Sequence, residues 1–155
     1  MIIGNIKLFE YRRIPTEKNT PVLLHRWIIF RCKWFGIFLH KFCRSDYKQA
    51  LHNHPWDFIS IILKGGYNEV TETTAPGIGE KYELITPGRI LYRPAEWRHR
   101  VELINEQPSW SIILVGQRKR KWGFWPNGKW CFWRKFDYSN NICEEDILWD
   151  GGDDD

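Results

Sequence analysis

The chain has 155 residues, enough for one domain with a hydrophobic core and too few for two full domains. Hydrophobic residues make up 43% of the chain and charged residues 27%, a balance that excludes a wholly disordered protein. The formal net charge of +4 is unevenly distributed: all 23 basic side chains but only 12 of the 19 acidic ones lie in residues 1–143. A body this basic suits an anionic ligand or nucleic acid.

Aromatic residues are unusually frequent, at 16% of the chain. One core can use only part of them, so we expect the others to line a pocket or a binding face. No apolar run approaches the roughly 20 residues of a membrane-spanning helix, and residues 1–13 have mixed charge without the apolar segment of a signal peptide. We therefore expect a cytoplasmic protein without a membrane partner. The four cysteines lack metal-binding or CxxC spacing, so we expect reduced thiols.

Short runs rich in β-branched and aromatic residues alternate with turn signals along most of the chain. A short C-terminal helix is predicted from Asn141 as its N-cap, with Glu144 three residues later, through Leu148 and Trp149. The ten predicted strands, in chain order, are Leu23–Cys32, Ile37–Arg44, Phe58–Leu63, Tyr67–Thr73, Glu80–Ile85, Arg89–Arg93, His99–Leu103, Ser109–Val115, Trp122–Trp125 and Trp130–Phe136.

This many short strands in one small domain is typical of an all-β sandwich or small barrel. We treat residues 1–155 as a single domain with four parts. Residues 1–36 contribute N-terminal strands, and residues 37–116 form the core of the barrel. Residues 117–143 form a basic hairpin rich in tryptophan, and residues 144–155 form an acidic tail.

Three of the five histidines have a spacing that suits a metal site. His52 and His54 open one strand, and residues i and i+2 of a strand point to the same face. His99, at the start of another strand, would complete a facial set of three imidazoles with open positions for water or substrate. The alternative is a barrel without metal, in which these are polar residues at a strand end. His40, on the preceding strand, is either a fourth pocket residue or a core histidine.

Two segments around these histidines resemble the two motifs of the cupin superfamily. The HxH pattern at His52 and His54, followed by a glycine pair, is similar to the first motif. The G-x5-P-x-E-x2-H pattern ending at His99 is similar to the second, with Glu96 where the family usually has glycine. The resemblance covers residues 37–116. It implies a cupin-like jelly-roll barrel with a metal ion held by the three histidines.

The sequence departs from the family pattern in its carboxylates. The family usually has a glutamate four or five residues after the second histidine, where this chain has Phe58 and Ile59. Asp57 is the nearest carboxylate. It is either a ligand, if Pro55 breaks the strand register, or a group that orients a histidine ring or caps the turn. A site of three histidines alone also suits Fe(II) or Zn.

Other side chains near the motifs are candidates for the pocket. Arg93 or Arg98 would bind an anionic substrate with its fork of donors, and Tyr92 precedes the turn of the second motif. Trp56 and Trp97 flank the two histidine motifs. They either form apolar pocket walls that exclude water or pack in the core.

The basic hairpin is the second functional signal. Cations bind phosphates and aromatic rings stack on bases, so the mixture suits single-stranded nucleic acid. The same alternation is typical of a hairpin that covers a barrel, with tryptophan inward and lysine outward. The residues concerned are Arg118, Lys119, Arg120, Lys121, Trp122 and Trp125.

The leading functional prediction is a metal-dependent cupin-type enzyme, with an Fe(II) oxygenase acting on a small or anionic substrate as the first choice. Zn, Mn or Ni, and an isomerase reaction, are alternatives within that class. The alternative from another class is a non-catalytic binding module for nucleic acid or an anionic partner. We also predict a homodimer, because exposed strand edges and surplus tryptophans are commonly buried by a second copy.

Overall fold

The structure is a computed structural model that describes residues 2–3, 6–15, 21–48, 50–73 and 79–144, with the backbone alone for residues 2, 3 and 15. Within these ranges the regular elements are strands and three short 3-10 turns, Ile104–Glu106, Pro126–Gly128 and Trp133–Lys135. The strands are β1 (Ile2–Ile3), β2 (Ile6–Pro15), β3 (Val22–Arg31), β4 (Gly36–Phe42), β5 (Leu51–His52), β6 (Phe58–Lys64), β7 (Tyr67–Glu72), β8 (Glu80–Ile85), β9 (Ile90–Arg93), β10 (Arg100–Leu103), β11 (Ser109–Val115), β12 (Gly123–Trp125), β13 (Cys131–Phe132), β14 (Phe136–Asp137) and β15 (Ile142–Cys143).

The strands form two layers around a common interior. One layer is a seven-stranded sheet in the order β1-β2-β3-β4-β11-β6-β9. The other contains two three-stranded sheets, β10-β7-β8 and β13-β12-β5, which a backbone bridge between His52 and His99 joins edge to edge. A buried cluster ties the layers together by packing Ile62 and Leu91 against Tyr67, Ile85 and Val101. The predicted all-β jelly-roll class is confirmed.

Strand alternation places polar groups inside the barrel. Along β11 the inward residues include Ser111 and Ile113, both buried, and Ser111 pairs with the buried His40 of β4. Apolar side chains fill most other inward positions of these strands, as expected for the buried face of an antiparallel sheet. An inward histidine and serine in such a face indicate that this part of the interior is a site as well as a core.

The segment after β11 forms the predicted hairpin, although not as two continuous strands. The predicted strand Trp130–Phe136 is wrong in its middle, where residues 133–135 form a 3-10 turn between β13 and β14. β12 pairs with both β13 and β5, so the hairpin is attached to the strand that carries His52. The close approach depends on Gly123, because a Cβ there would lie 1.9 Å from the carbonyl oxygen of Cys131.

The C-terminal part of the structure corrects two expectations. Ile142–Cys143 is a strand paired with β14, so the predicted helix does not begin at Asn141; its remainder, from residue 145, lies outside the described residues. The expectation of reduced thiols is wrong for two cysteines, because Cys131 and Cys143 form a disulfide. The pairing of β15 with β14 brings Cys143 close to Cys131 of β13. The spacing of the cysteines in the sequence does not reveal this contact. The described part of the chain contains no helix long and apolar enough to cross a bilayer.

Candidate metal centre

His52, His54 and His99 meet at one wall of the barrel interior. Their ring centroids lie 5.0 Å, 4.9 Å and 5.1 Å apart, pair by pair. One candidate ligand nitrogen from each ring lies within 4.8 Å of the other two, and the Nε2 atoms of His54 and His99 are 2.9 Å apart. Convergence of three imidazole nitrogens is the arrangement that a transition-metal ion requires.

Backbone pairing sets this geometry. The amide of His52 donates to the carbonyl of His99 at 2.8 Å, and the amide of His99 donates back at 3.0 Å. Between the two histidines of the first motif, Asn53 is fully buried and its Oδ1 accepts a hydrogen bond from the amide of Gly123 at 2.9 Å. Asn53 is therefore directed away from the ring cluster, which leaves His52 and His54 on the same side.

Glu69 is a functional residue that the sequence interpretation missed. It lies in the middle of β7, is 2% exposed, and its Oε1 is 2.7 Å from Nδ1 of His99. A carboxylate in this position fixes the ring and leaves Nε2 to face the cluster. The only sequence signal is an acidic residue within a predicted strand. Its role depends on the pairing of Glu69 with Val101 of β10, which is not a local feature.

Arg93 and Trp97 hold Glu69 in place, which corrects the roles predicted for them. Arg93 forms an ion pair with Glu69 and donates from Nε to its Oε1 at 3.0 Å, and Trp97 donates from Nε1 at 3.3 Å. Neither side chain lines the cavity. Burial by itself would raise the pKa of Glu69, but hydrogen bonds from His99 and Arg93 outweigh it and lower the pKa to about 2. Glu69 is therefore ionised.

Asp57 and Tyr92 lie outside the histidine cluster and do not line the cavity, so Asp57 is not placed as a ligand and Tyr92 is not placed in the pocket. Asp57 Oδ1 accepts from the amide of Ala95 at 2.9 Å, and its Oδ2 accepts from Lys119 Nζ at 2.5 Å and from the hydroxyl of Tyr92 at 3.3 Å. The hydrogen bond from Lys119 is the main reason that the pKa of Asp57 is lowered. Asp57 thus caps the turn of the second motif, which was one of its predicted alternatives, and Tyr92 is 59% exposed.

Asp46 is a second carboxylate that the sequence interpretation missed. Its Oδ2 is 3.7 Å from Nδ1 of His52 and accepts a hydrogen bond from the amide of Val101 at 2.7 Å. Burial raises the pKa of Asp46 to about 6, although that backbone hydrogen bond acts in the opposite direction. Asp46 and Glu69 therefore lie beside two different histidines of the cluster.

The histidines border a cavity of about 990 Å³. This volume is at the upper end of the range for small-molecule sites. Trp56 and His40 line the cavity together with Phe38 and Phe58. For Trp56 and His40, a place in the pocket was one of the two predicted alternatives. Trp97 does not. The three imidazoles therefore face a space in which a small organic molecule fits.

No family model matches the sequence, and no curated protein matches it either. Several solved structures match it. An RmlC-like cupin from Shewanella frigidimarina has a TM-score of 0.52 at 13% identity, over 72% of this chain and 86% of that one. A cupin-2 domain from Rhodospirillum rubrum has a TM-score of 0.52 at 14% identity, over 72% of each chain. Fe(II)-HppE, solved with the alternative substrate (S)-1-HPP, has a TM-score of 0.52 at 13% identity, over 75% of this chain and 60% of that one.

This chain has the cupin fold. The resemblance seen in the two histidine motifs is thus confirmed at the level of the fold. At these identities the likeness establishes architecture alone, so the chemistry of this chain has to be argued from its own residues.

The basic hairpin covers one side of the cavity. Trp122 stacks on Trp133 with centroids 5.4 Å apart, and both rings line the cavity. Two cationic side chains of the hairpin lie against other groups of the same chain: Arg120 lies 3.8 Å from Glu96, and Nζ of Lys119 lies 2.5 Å from Oδ2 of Asp57. This is the covering arrangement, with tryptophan inward. Nucleic-acid binding stays an untested alternative.

His40 lies in the cavity wall as an uncharged acceptor. Arg26 donates from Nε to Nε2 of His40 at 2.9 Å. Burial, and then the positive charge of Arg26, hold the pKa of His40 well below its usual value of 6.5. The imidazole therefore stays neutral at pH 7 and anchors the arginine.

The lowered pKa of His40 predicts an acid-sensitive contribution to stability. Below pH 6.5 the unfolded chain takes up a proton at this histidine and the folded chain does not, so the free energy of unfolding falls as the pH falls. From pH 7 to about pH 5.5 this amounts to about 1 kcal/mol. Urea unfolding of the metal-free wild type and of His40→Gln at both pH values tests it. The loss should be smaller in the variant by that amount, and equal losses would contradict the assignment.

Proposed function

We propose that this cupin is a metal-dependent enzyme in which His52, His54 and His99 hold one divalent metal ion. The observation that carries the proposal is the convergence of three imidazole nitrogens within 4.8 Å at a cavity wall. The donor set suits a metal, because burial lowers the pKa of His52 and His54 and keeps them neutral. Glu69 supports the same reading, since a carboxylate on Nδ1 of His99 is a common partner of a ligating histidine.

Three protein ligands leave coordination positions for exogenous molecules. Fe(II) held by three nitrogens supplies a centre at which O₂ and a chelating substrate react, whereas Zn, Mn or Ni supplies a Lewis acid. We favour Fe(II) and an oxygenase reaction, because a facial set of neutral imidazoles leaves adjacent positions open. HppE, solved in its Fe(II) form, is an example of an iron protein with this fold. An isomerase reaction on a Lewis-acid metal is the second choice.

The chain itself would contribute orientation and water exclusion. Glu69 fixes the ring of His99, and Asp46 lies beside His52. The ring of Phe58 packs edge-on against His54 with centroids 4.7 Å apart, so the cluster has an apolar neighbour. Apolar walls exclude water from a reacting group and strengthen the electrostatic interactions within the site.

Nitric oxide binding to the Fe(II)-loaded protein tests the oxygenase proposal. Nitric oxide substitutes for O₂ and gives a characteristic EPR signal when it binds ferrous iron that has an open position. We expect the signal in the wild type and in His25→Ala, whose histidine lies outside the cluster, and none in His99→Ala. Bound iron without the signal would contradict the oxygenase reaction. Failure to bind Fe(II), Zn, Mn or Ni would contradict the metal site itself.

A further inference from the structure

The cavity has a cationic side in addition to its histidines. Among the described residues that line it, Asp46 is the only acidic one. Its carboxylate lies 3.7 Å from Nδ1 of His52 and accepts a hydrogen bond from the amide of Val101, so it faces the histidine cluster and the backbone. The cationic side chains in the lining are four arginines: Arg12, Arg13, Arg26 and Arg134. A cavity lined in this way attracts anionic ligands.

Arg26 contacts a histidine of the cavity wall. It lies on β3 between the buried residues Leu24 and Ile28, and strand alternation directs its side chain into the barrel. Its Nε donates to His40 at 2.9 Å, and its guanidinium carbon lies 5.2 Å from the ring centroid of Phe38. Arg26 is therefore fixed in the wall of the cavity that the three histidines border.

The walls around Arg26 are aromatic. Phe38 meets Trp56 edge to face at 6.1 Å between centroids, and Phe58 packs against His54. Phe38, Trp56 and Phe58 all line the cavity and belong to one buried cluster. Aromatic walls favour a flat apolar body, because rings pair in stacked or edge-to-face geometry.

We propose that this cavity binds an aromatic carboxylate, with the carboxylate on Arg26 and the ring among Phe38, Trp56 and Phe58. The cation supplies the compensation that a buried carboxylate needs, and a guanidinium matches the carboxylate geometry. A metal ion on the histidines would give the same carboxylate a second contact, and only that part rests on the proposed function. Arg26 thus takes the substrate-binding role that the sequence assigned to Arg93 or Arg98.

Binding of benzoate and of its neutral analogue benzamide tests the proposal. Titrations followed by tryptophan fluorescence or calorimetry should show benzoate binding at least about 10-fold more tightly than benzamide, as expected for a charge-assisted hydrogen bond. Arg26→Gln should remove this preference and leave benzamide binding unchanged. Arg26→Lys should retain part of it, because lysine keeps the charge and loses the planar fork. Arg44→Gln, at an exposed arginine that does not line the cavity, is the matched control.

The titrations are run on metal-free and on metal-loaded protein, so that the two proposals can fail separately. If the histidines bind no metal, the benzoate preference and its dependence on Arg26 should still be present in the metal-free protein. Equal affinities for benzoate and benzamide, no binding of either, or an unchanged preference in Arg26→Gln would overturn the carboxylate proposal. Circular dichroism of each variant verifies that the fold is retained.

A different observation concerns the outer face of the seven-stranded sheet. Strand pairing aligns Leu39, Ile112 and Ile61 in one row and Ile37, Leu114 and Ile59 in a second row. These six residues, the outer apolar face, alternate with the inward residues of β4, β11 and β6. The apolar surface continues on β9, where Ile90 is 68% exposed. The solvated face of an antiparallel sheet is ordinarily polar, so this face is built to be covered.

The dimensions of this face suit a second copy of the chain. Five neighbouring strands, from β3 to β9, span about 24 Å with their side chains, and six residues along a strand span about 20 Å. Two copies in contact would bury about 1,000 Å², the lower limit of a specific interface. Both copies carry a net charge of +4, so an uncharged contact avoids the repulsion that other surfaces would meet. The six residues of the outer apolar face carry no charge, and Lys41 and Lys64 lie at its edge beside Trp110.

We infer that two copies of this chain associate through the outer apolar face about a two-fold axis. Analytical ultracentrifugation should give a dimer of the 18.7 kDa chain at micromolar concentration. Leu39→Lys and Ile112→Lys should each shift it to monomer, because like charges would meet across the axis. Leu84→Lys, at an exposed leucine of β8 in the other layer, should not. A monomeric wild type, or a dimer that persists in both variants, would overturn the inference.

Discussion

Glu69→Ala is expected to lower the affinity for a divalent metal 10- to 100-fold, the range typical for loss of a group that orients a ligating histidine. The carboxylate lies 2.7 Å from Nδ1 of His99, and without it that ring loses its anchor. The substitution should also cost about 3–5 kcal/mol of unfolding free energy, because it leaves the largely buried Arg93 without its anion. Competition with a chromophoric chelator measures the first effect, and urea unfolding of metal-free protein measures the second.

Glu72→Ala is the matched control, because Glu72 lies on the same strand and its ion pair with Arg98 is partly exposed. That variant should change stability by less than about 1 kcal/mol and leave metal affinity as in the wild type. Glu69→Gln keeps the shape and one acceptor, so it should lose metal affinity with a smaller loss of stability. An unchanged metal affinity in both Glu69 variants would contradict the orienting role.

Cys143→Ser is expected to destabilise the covering hairpin by up to about 3 kcal/mol, the value for opening a disulfide loop of this length. The disulfide joins residues 12 apart and holds Cys131 in a cluster with Ala50, Phe124 and Phe136. Because this cluster lies beside Trp122 and Trp133, both of which line the cavity, loosening it should also expose the cavity. Urea unfolding followed by tryptophan fluorescence measures the loss.

The wild type in dithiothreitol should reproduce the Cys143→Ser result, whereas Cys43→Ser should not, because Cys43 is a free thiol. Equal stability of the wild type with and without reductant would contradict a stabilising role for the disulfide. Loss of benzoate affinity in Cys143→Ser at unchanged metal content would place its effect on the aromatic cover and not on the histidines.

The alternation of apolar and polar residues predicted the central strands correctly. It failed in the C-terminal hairpin, where a short turn interrupts the strand. Ser109–Val115 and Glu80–Ile85 have the bounds that their alternation predicts. The alternation of residues 130–136 is similar, yet packing of Trp133 on Trp122 requires a turn, and β13 ends at Phe132. The strand propensity of residues 130–136 does not predict this turn, because Trp122, the contact partner of Trp133, lies outside that segment.

The candidate site likewise has residues that the local sequence predicts and residues that only the strand register brings together. Strand parity predicts that His52 and His54 share a face; the two rings do converge, but β5 ends at His52 and His54 follows it outside the strand. The motif resemblance adds His99. The partner of His99 is Glu69, 30 residues earlier, and only the register of β7 against β10 brings the two together. Arg93 lies within the second motif but forms an ion pair with Glu69, whereas Arg26, far from both motifs in sequence, faces the cavity. Proximity in sequence was a poor guide to which arginine reaches the pocket.

Metal stoichiometry of the purified protein tests the central claim most directly. After anaerobic incubation with Fe(II) or with Zn(II) and removal of excess metal, plasma mass spectrometry should find close to one ion per wild-type chain. His52→Ala and His99→Ala should bind almost none, while His25→Ala should bind as the wild type does. No metal in the wild type, or equal metal in the wild type and both cluster variants, would contradict a metal centre at these histidines.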